Sequence, residues 1–265
     1  MNTTEIHRKY VQLQQILRTF DKVAVAFSGG IDSTFLLYAA CDTLGKDRVL
    51  AMQGVSCLLA TSSIHQATEI FERYFSHKAE FRQIELEPLL WDEFAANTGD
   101  RCYFCKKRTY SIFKKEMEKD GCLFLLDGTN VDDLKAHRPG LRAVGELGVQ
   151  TPLVQAGFAK QEIRDMAESI GLANYDQPSN SCLATRVWTG VQIRPRILRL
   201  IDDAEHFLHE KGFLGCRVRP GSDWTVIEVR TDDLERITLR ANREPILQYF
   251  ASVGFARVVI DLHGR

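Results

Sequence analysis

The order of apolar runs and amphipathic stretches predicts an α/β protein, a doubly wound parallel sheet followed by a small C-terminal α+β module. Three observations carry that prediction. Short apolar runs alternate with helix-length stretches from Lys22 to Gly171, and alternation of this kind belongs to parallel sheets covered on both faces. The first run ends in Ser28-Gly29-Gly30, a tight turn that opens directly into a helix. Beyond Gly190 the order changes to helix, two strands, helix, strand, enough to close a small core of its own. Two domains are therefore expected, 1–188 and 189–265.

The elements follow in order. Thr4 to Phe20 spaces Ile6, Tyr10, Leu13, Ile16, Leu17 and Phe20 as one helical face. Lys22 to Phe27 is a buried strand, and Asp32 to Leu44 a helix closed by Gly45. Arg48 to Gly54 is a strand, Ser62 to Phe75 a helix, and Glu80 to Leu86 a strand. A helix over Tyr103 to Lys119, a strand over Leu123 to Asp127 and a helix over Lys160 to Ile170 complete the first domain. Gly128 to Pro139 and Asn174 to Cys182 are irregular and polar, and are expected to be active-site loops, since open α/β sheets bind ligands at strand ends. In the tail, Ile193 to Lys211 and Asp232 to Tyr249 read as helices. Cys216 to Arg219, Thr225 to Arg230 and Ala256 to Leu262 read as strands.

Composition narrows the classes. The chain of 265 residues is 45% hydrophobic and 26% charged, near the globular average. No run approaches the ~18–20 apolar residues of a membrane span, and Met1 to Tyr10 lacks the apolar core of a secretory signal. A cytoplasmic protein with no membrane partner is expected. Lys and Arg number 34 against 35 Asp and Glu, a net charge of -1, which offers no global field for a polyanion. Seven cysteines without an export signal read as core residues, metal ligands or reactive thiols rather than disulfides.

Ser28-Gly29-Gly30-Ile31-Asp32-Ser33, between strand and helix, suits phosphate. Gly29 and Gly30 let oxygen atoms approach the backbone, Ser28 and Ser33 offer hydroxyls, and the helix N-terminus adds free amides and partial positive charge. Asp32 repels phosphate unless it caps the helix or binds Mg²⁺. A bare Gly-Gly turn is usually only a turn, but six specified residues in a strand–turn–helix context favour phosphate binding. Neither G-x-x-x-x-G-K-[ST] nor a G-x-G-x-x-G after the first strand is present. The turn resembles that of the PP-loop ATP pyrophosphatases, of the adenine nucleotide alpha-hydrolase-like fold. That resemblance implies cleavage of ATP to AMP and pyrophosphate.

Further stretches resemble the LarE family, sulfur transferases of lactate racemase maturation. They are Leu126-Asp127-Gly128-Thr129-Asn130-Val131-Asp132-Asp133, His137-Arg138-Pro139-Gly140-Leu141-Arg142, Thr151-Pro152-Leu153, Lys160 to Arg164, Ser181 to Arg186, and Cys216-Arg217-Val218-Arg219. The resemblance implies adenylation of a carboxylate of a pyridinium-3,5-dicarboxylate mononucleotide, then its replacement by a thiocarboxylate, twice over, for a nickel-pincer cofactor. It also places a phosphate site at Arg217 and Arg219, with Glu205 and Glu228 nearby, and brings Gly128 among the nucleotide contacts. The residue chemistry agrees. Negative charge accumulates on the α-phosphate during adenylation and calls for cations. Lys160 and Arg186 are candidates, with Asp32, Asp127 or Asp132 as Mg²⁺ ligands. Lys160 as a solvated helix start, and Asp132 and Asp133 as loop or cap residues, are the plainer readings. Arg217 and Arg219 alternate on one strand and so share a face, a fit for a phosphate unless that face is a solvated edge.

Cys102 and Cys105 form a C-x-x-C, and Cys182 stands alone after Pro178. Some LarE members hold only the Cys182-like residue, which gives up its own sulfur. The added pair resembles the three-cysteine members, implying a [4Fe–4S] cluster fed by sulfide or another sulfur donor. Three thiolates leave one iron open. A dithiol or persulfide pair, a zinc site completed by His137, and inert thiols remain alternatives. Cys41, Cys57, Cys122 and Cys216 are expected in the core. Rival functions are a tRNA 2-thiolation enzyme using the basic stretch Lys106, Lys107, Arg108, Lys114 and Lys115, an ammonia-using amidating ligase, and a non-catalytic nucleotide sensor. The neutral charge and missing RNA-binding motif argue against a nucleic-acid partner. A homo-oligomer is expected, with the tail as its assembly surface.

Overall fold

The structure, a computed structural model, describes residues 3–136, 138–178, 181–255 and 257–265. In chain order its elements are α1 (Thr3–Leu17), β1 (Val23–Ala26), α2 (Ile31–Leu44), β2 (Val49–Val55), α3 (Thr61–Tyr74) and β3 (Glu80–Glu85). There follow α4 (Asp92–Ala95), α5 (Arg101–Glu118), β4 (Phe124–Leu126), α6 (Gly140–Glu146), α7 (Pro152–Gln155) and α8 (Lys160–Ser169). The last are α9 (Pro195–Glu210), β5 (Arg217–Pro220), β6 (Trp224–Glu228), α10 (Leu234–Thr238), α11 (Arg240–Ser252) and β7 (Arg257–Ile260). Two compact units are formed. One takes Met1–Ser56, Ser62–Pro88 and Asp100–Ser179; the other takes Cys57–Thr61, Leu89–Gly99 and Asn180–Arg265.

In the first unit four strands pair in the order β3-β2-β1-β4, all parallel, with Val23 opposite both Val49 and Phe124. Side chains alternate across a strand, and here both faces are apolar. Val23, Val25, Val49 and Ala51 pack with Leu13 of α1, Phe35 of α2, Phe71 of α3 and Ile163 of α8. Ala24, Leu50 and Met52 pack the opposite way, against Tyr110, Phe113 and Met117 of α5 and Val144 of α6. Burial on both faces explains why β1 and residues 49–52 of β2 are continuous apolar runs. This is the expected doubly wound α/β sheet, with the Ser28–Ser33 turn at the carboxyl end of β1. β3 lies at an edge and carries Glu80, Arg82 and Glu85, charges that discourage further pairing.

In the second unit β5 pairs antiparallel with β6, and β6 parallel with β7. Val218 and Ile227 face a core shared with Leu208 of α9 and with Ile246 and Phe250 of α11. By alternation the other face carries Arg217, Arg219, Trp224, Val226 and Glu228. One expected helix, Asp232 to Tyr249, is two. Leu239 lies between α10 and α11 with extended backbone (φ -58°, ψ 141°). The Asn242 side chain donates to the Arg236 carbonyl at 2.8 Å, satisfying α10's end without a continued helix. α4, α6 and α7 lie where the sequence predicts no helix, although Pro152 in the first turn of α7 is a usual helix start. Among the described residues no helix is long and apolar enough to cross a membrane.

Candidate active site

The turn after β1 is held from within and from behind. Ser33 Oγ donates to the Gly30 carbonyl at 2.9 Å and accepts from the Ser28 N–H at 3.2 Å. Thr34 Oγ1 donates to the same carbonyl at 2.9 Å. Asn174, fully buried in the irregular stretch before Cys182, donates to the Gly29 carbonyl at 2.9 Å and to Thr34 Oγ1 at 3.0 Å. Gly29 has φ +76°, and a Cβ there would lie 2.7 Å from Ala67 of α3. Gly30 has φ -71°, and a Cβ would meet nothing closer than Ser28 Oγ at 3.4 Å. The first glycine serves packing; the second leaves the cradle open. Gly128 serves packing too, since a Cβ there would stand 3.0 Å from the Ser33 amide nitrogen.

A charged network stands at the helix start. Asp32, in the first turn of α2, pairs with Lys160 Nζ from the first turn of α8 and accepts from Asn130 Nδ2 at 3.3 Å. Asp132 accepts from the Lys160 N–H at 2.8 Å, capping α8, and pairs with Lys135 at 2.8 Å. Asp127 is buried; it accepts from Tyr110 OH, from Thr129 N–H at 2.8 Å and from the Thr129 hydroxyl, and pairs with Lys106 at 3.0 Å. Burial alone would raise its carboxyl, but Lys106, Thr129 and Tyr110 together hold it below the usual range. With its oxygens taken by protein donors, Asp127 does not fit a magnesium ligand. Asp132 is occupied as a cap. Asp32, partly exposed beside the turn, fits best.

The basic stretch of α5 is turned largely to internal use. Lys106 holds Asp127, Lys107 pairs with Glu146 at 2.8 Å, and Lys114 donates to the Leu147 carbonyl at 3.0 Å.

In the second unit Arg186 is 3% exposed and Glu205 5%. They form a two-pronged pair, Nε to Oε1 and Nη2 to Oε2, each at 2.9 Å. Arg186 Nη1 donates to Ser181 Oγ at 2.7 Å and to the carbonyls of Ser181 at 2.9 Å and Cys182 at 3.3 Å. The side chain expected at a phosphate is instead buried beneath the cysteine loop and holds it. Glu205 also accepts from the Val218 N–H at 2.9 Å, tying the loop to β5. Arg219 pairs with Glu228 and donates to the Thr185 carbonyl at 2.6 Å. Arg217 Nε is buried with no hydrogen-bond partner. Burial first, then Arg265, Arg186 and Arg219, bring its guanidinium down to about 10. Positive charge gathered here with too few carboxylates to balance it is what an anion would relieve. Arg265, Asn130 and Asn174 escape sequence reasoning, because their partners Gly215, Asp32 and Gly29 are distant in the chain.

Cys102 sits in the first turn of α5 and Cys105 at the start of the second, Cys102 exposed and Cys105 half-buried. Cys182, half-buried, precedes the 3-10 turn Leu183–Arg186, and its carbonyl accepts from Thr185 N–H at 3.0 Å. The pair belongs to one unit and Cys182 to the other. Among the described residues no three Cys, His, Asp or Glu side chains form a metal-holding group, and His137 lies outside the described residues. As donors the three thiols fit an iron–sulfur cluster, being soft and none of them fully buried. Cys41, Cys122 and Cys216 are core residues as expected, and burial raises each thiol, Cys41 to about 12. Cys57 is exposed, contrary to expectation. Its neighbour Leu58 takes the buried place and accepts from the Leu183 N–H at 2.7 Å. A thiol reagent added to metal-free native protein is expected to modify Cys57 and Cys102 first, and Cys41, Cys122 and Cys216 only after denaturation, as peptide mapping would read.

No family model matches the chain. A pyridinium-3,5-bisthiocarboxylic acid mononucleotide synthase of Lactiplantibacillus plantarum is 32% identical over 97% of this chain and 91% of its own length. The chain belongs to the LarE family. Two uncharacterized relatives also align with this LarE-family chain over most of their length. One, from Synechocystis sp., is 29% identical over 98% of this chain and 95% of its own; the other, from Methanocaldococcus jannaschii, is 31% identical over 91% and 89%.

Proposed function

We propose that this LarE-family chain is an AMP-forming sulfur transferase acting on a pyridinium-3,5-dicarboxylate mononucleotide, the oxygen counterpart of the bisthiocarboxylic acid mononucleotide in the Lactiplantibacillus relative's name. The observation that carries the reading is the Ser28–Ser33 turn, where Gly29 is closed by packing and Gly30 is open toward incoming oxygens. Its amides and the α2 N-terminus receive the departing pyrophosphate. Lys160 releases Asp32 to meet the α-phosphate, and Asp32 would hold Mg²⁺, which would supply Lewis-acid charge there. The substrate carboxylate attacks that phosphorus and pyrophosphate leaves. Sulfide then attacks the acyl carbon, AMP departs with the bonding pair, and a thiocarboxylate results; a second ATP serves the second carboxylate. Arg217 and Arg219 hold the substrate phosphate. Arg186 positions the Cys182 loop. A [4Fe–4S] cluster on Cys102, Cys105 and Cys182 would supply hydrosulfide, so that no protein cysteine is consumed.

Adenylation is assigned to residues 1–188, and substrate binding and self-association to 189–265, in a cytoplasmic homo-oligomer. Protein purified without oxygen is expected to carry about four irons per chain, and Cys105→Ala to lose iron and sulfur transfer. With ATP, sulfide and the dicarboxylate nucleotide, pyrophosphate and thiocarboxylate should appear in equal amounts. Iron at background would sink the cluster, and absence of pyrophosphate would sink the adenylation.

A further inference from the structure

The second unit has an open groove beside Arg219. It measures about 840 Å³ and is mostly apolar, with Trp188, Val191, Ile197, Trp224 and Val226 on its walls and Arg194 at its edge. Trp188 is 46% and Trp224 50% exposed, unusual for the largest apolar side chain. Trp224 and Val226 share the outward sheet face with Arg217 and Arg219, by strand alternation. Arg219 spans the two regions. Its guanidinium carbon lies 6.0 Å from the centre of the Trp188 ring, while Nη1 holds the Thr185 carbonyl in the turn that follows Cys182.

We infer that this groove seats the pyridinium ring of the substrate, with Trp188 as a specificity-determining residue whose indole face meets the cationic ring. The inference rests on the substrate reading proposed above. A positively charged aromatic ring is attracted to an indole face by the ring's quadrupole and by stacking, so an apolar aromatic wall suits it better than a neutral sugar or base would require. Continuity with the arginines fixes the direction. Two strand residues span about 7 Å, of the order of the step from phosphate to ring in a mononucleotide. A phosphate between Arg217 and Arg219 therefore leaves the ring beside Trp188 and Trp224. Arg194, whose side chain meets only Gln192 Oε1 at 3.3 Å among the described contacts, stands at the rim where a ring carboxylate emerges.

The test uses the whole chain and nicotinate mononucleotide as probe, with ribose 5-phosphate as the ring-less control. Of three tryptophans, Trp91 is buried, so indole quenching by the pyridinium probe reports mainly the groove. Calorimetry gives both affinities. Trp188→Ala is expected to weaken the probe about tenfold, change ribose 5-phosphate less than twofold, and reduce the quenching, while Trp188→Phe keeps most of the affinity. Equal weakening of both ligands, or of neither, overturns the ring seat but leaves the proposed reaction standing. A fall in oligomer mass on Trp188→Ala with unchanged probe affinity identifies the groove as an interface between copies instead. Failure of the unmodified protein to bind either compound overturns the substrate reading itself, and the ring seat with it.

Discussion

Gly29→Ala is expected to lower the melting temperature by about 5–10 °C and to abolish pyrophosphate release, whereas Gly30→Ala keeps the melting temperature and weakens ATP alone. The two glycines are adjacent and look alike in sequence. Gly29 sits at φ +76°, where an L side chain costs about 1–2 kcal/mol, and its Cβ would lie 2.7 Å from backbone and side chain of Ala67. Helix α3 cannot yield by that much without loosening Ile70 and Phe71 from the core, and overpacking adds about 1–3 kcal/mol. Gly30 has ordinary dihedrals and open space apart from Ser28 Oγ. A methyl group there occupies room that phosphate oxygens need. Calorimetric melting and ATP titration of both variants separate the effects. Equal melting temperatures for the two would contradict the division of labour.

The sheet was legible because period and burial agree. β1 and the first part of β2 are buried on both faces, so residues 23–26 and 49–52 are unbroken apolar runs, and the glycine turn marks where the first one ends. The site was legible only where a motif is local. The turn, the C-x-x-C and the alternating Arg217 and Arg219 are contiguous patterns with a physical reason. Asn174 is not, since its contact with Gly29 crosses 145 positions. Nor did sequence distinguish Asp127, locked by Tyr110 and Lys106, from Asp32 beside the turn; each is a carboxylate between an aliphatic and a small residue, Leu126 and Gly128 or Ile31 and Ser33. The break at Leu239 carried no Gly or Pro to announce it. Arg186 shows the same limit most sharply, for a cation near a cysteine reads as a phosphate ligand until its burial is known.

Arg186→Met is expected to destabilise the second unit by about 3–5 kcal/mol, the usual result of removing one partner of a buried pair. Glu205, 5% exposed, would keep its charge with only the Val218 N–H as donor. The double variant Arg186→Met, Glu205→Gln removes that stranded charge and retains an acceptor for Val218, so most of the loss should return. Its chemistry then separates two roles. A guanidinium that contacted the α-phosphate would be missed in adenylation, and pyrophosphate release would fall about 10²–10³-fold. A guanidinium that holds the carbonyls of Ser181 and Cys182 would be missed only when sulfur arrives. The geometry favours the second outcome, because Nε, Nη1 and Nη2 are all engaged within the unit. Pyrophosphate should form in the double variant at near the normal rate while thiocarboxylate does not, so that the adenylate accumulates or hydrolyses. Parallel loss of both products would return Arg186 to the phosphate.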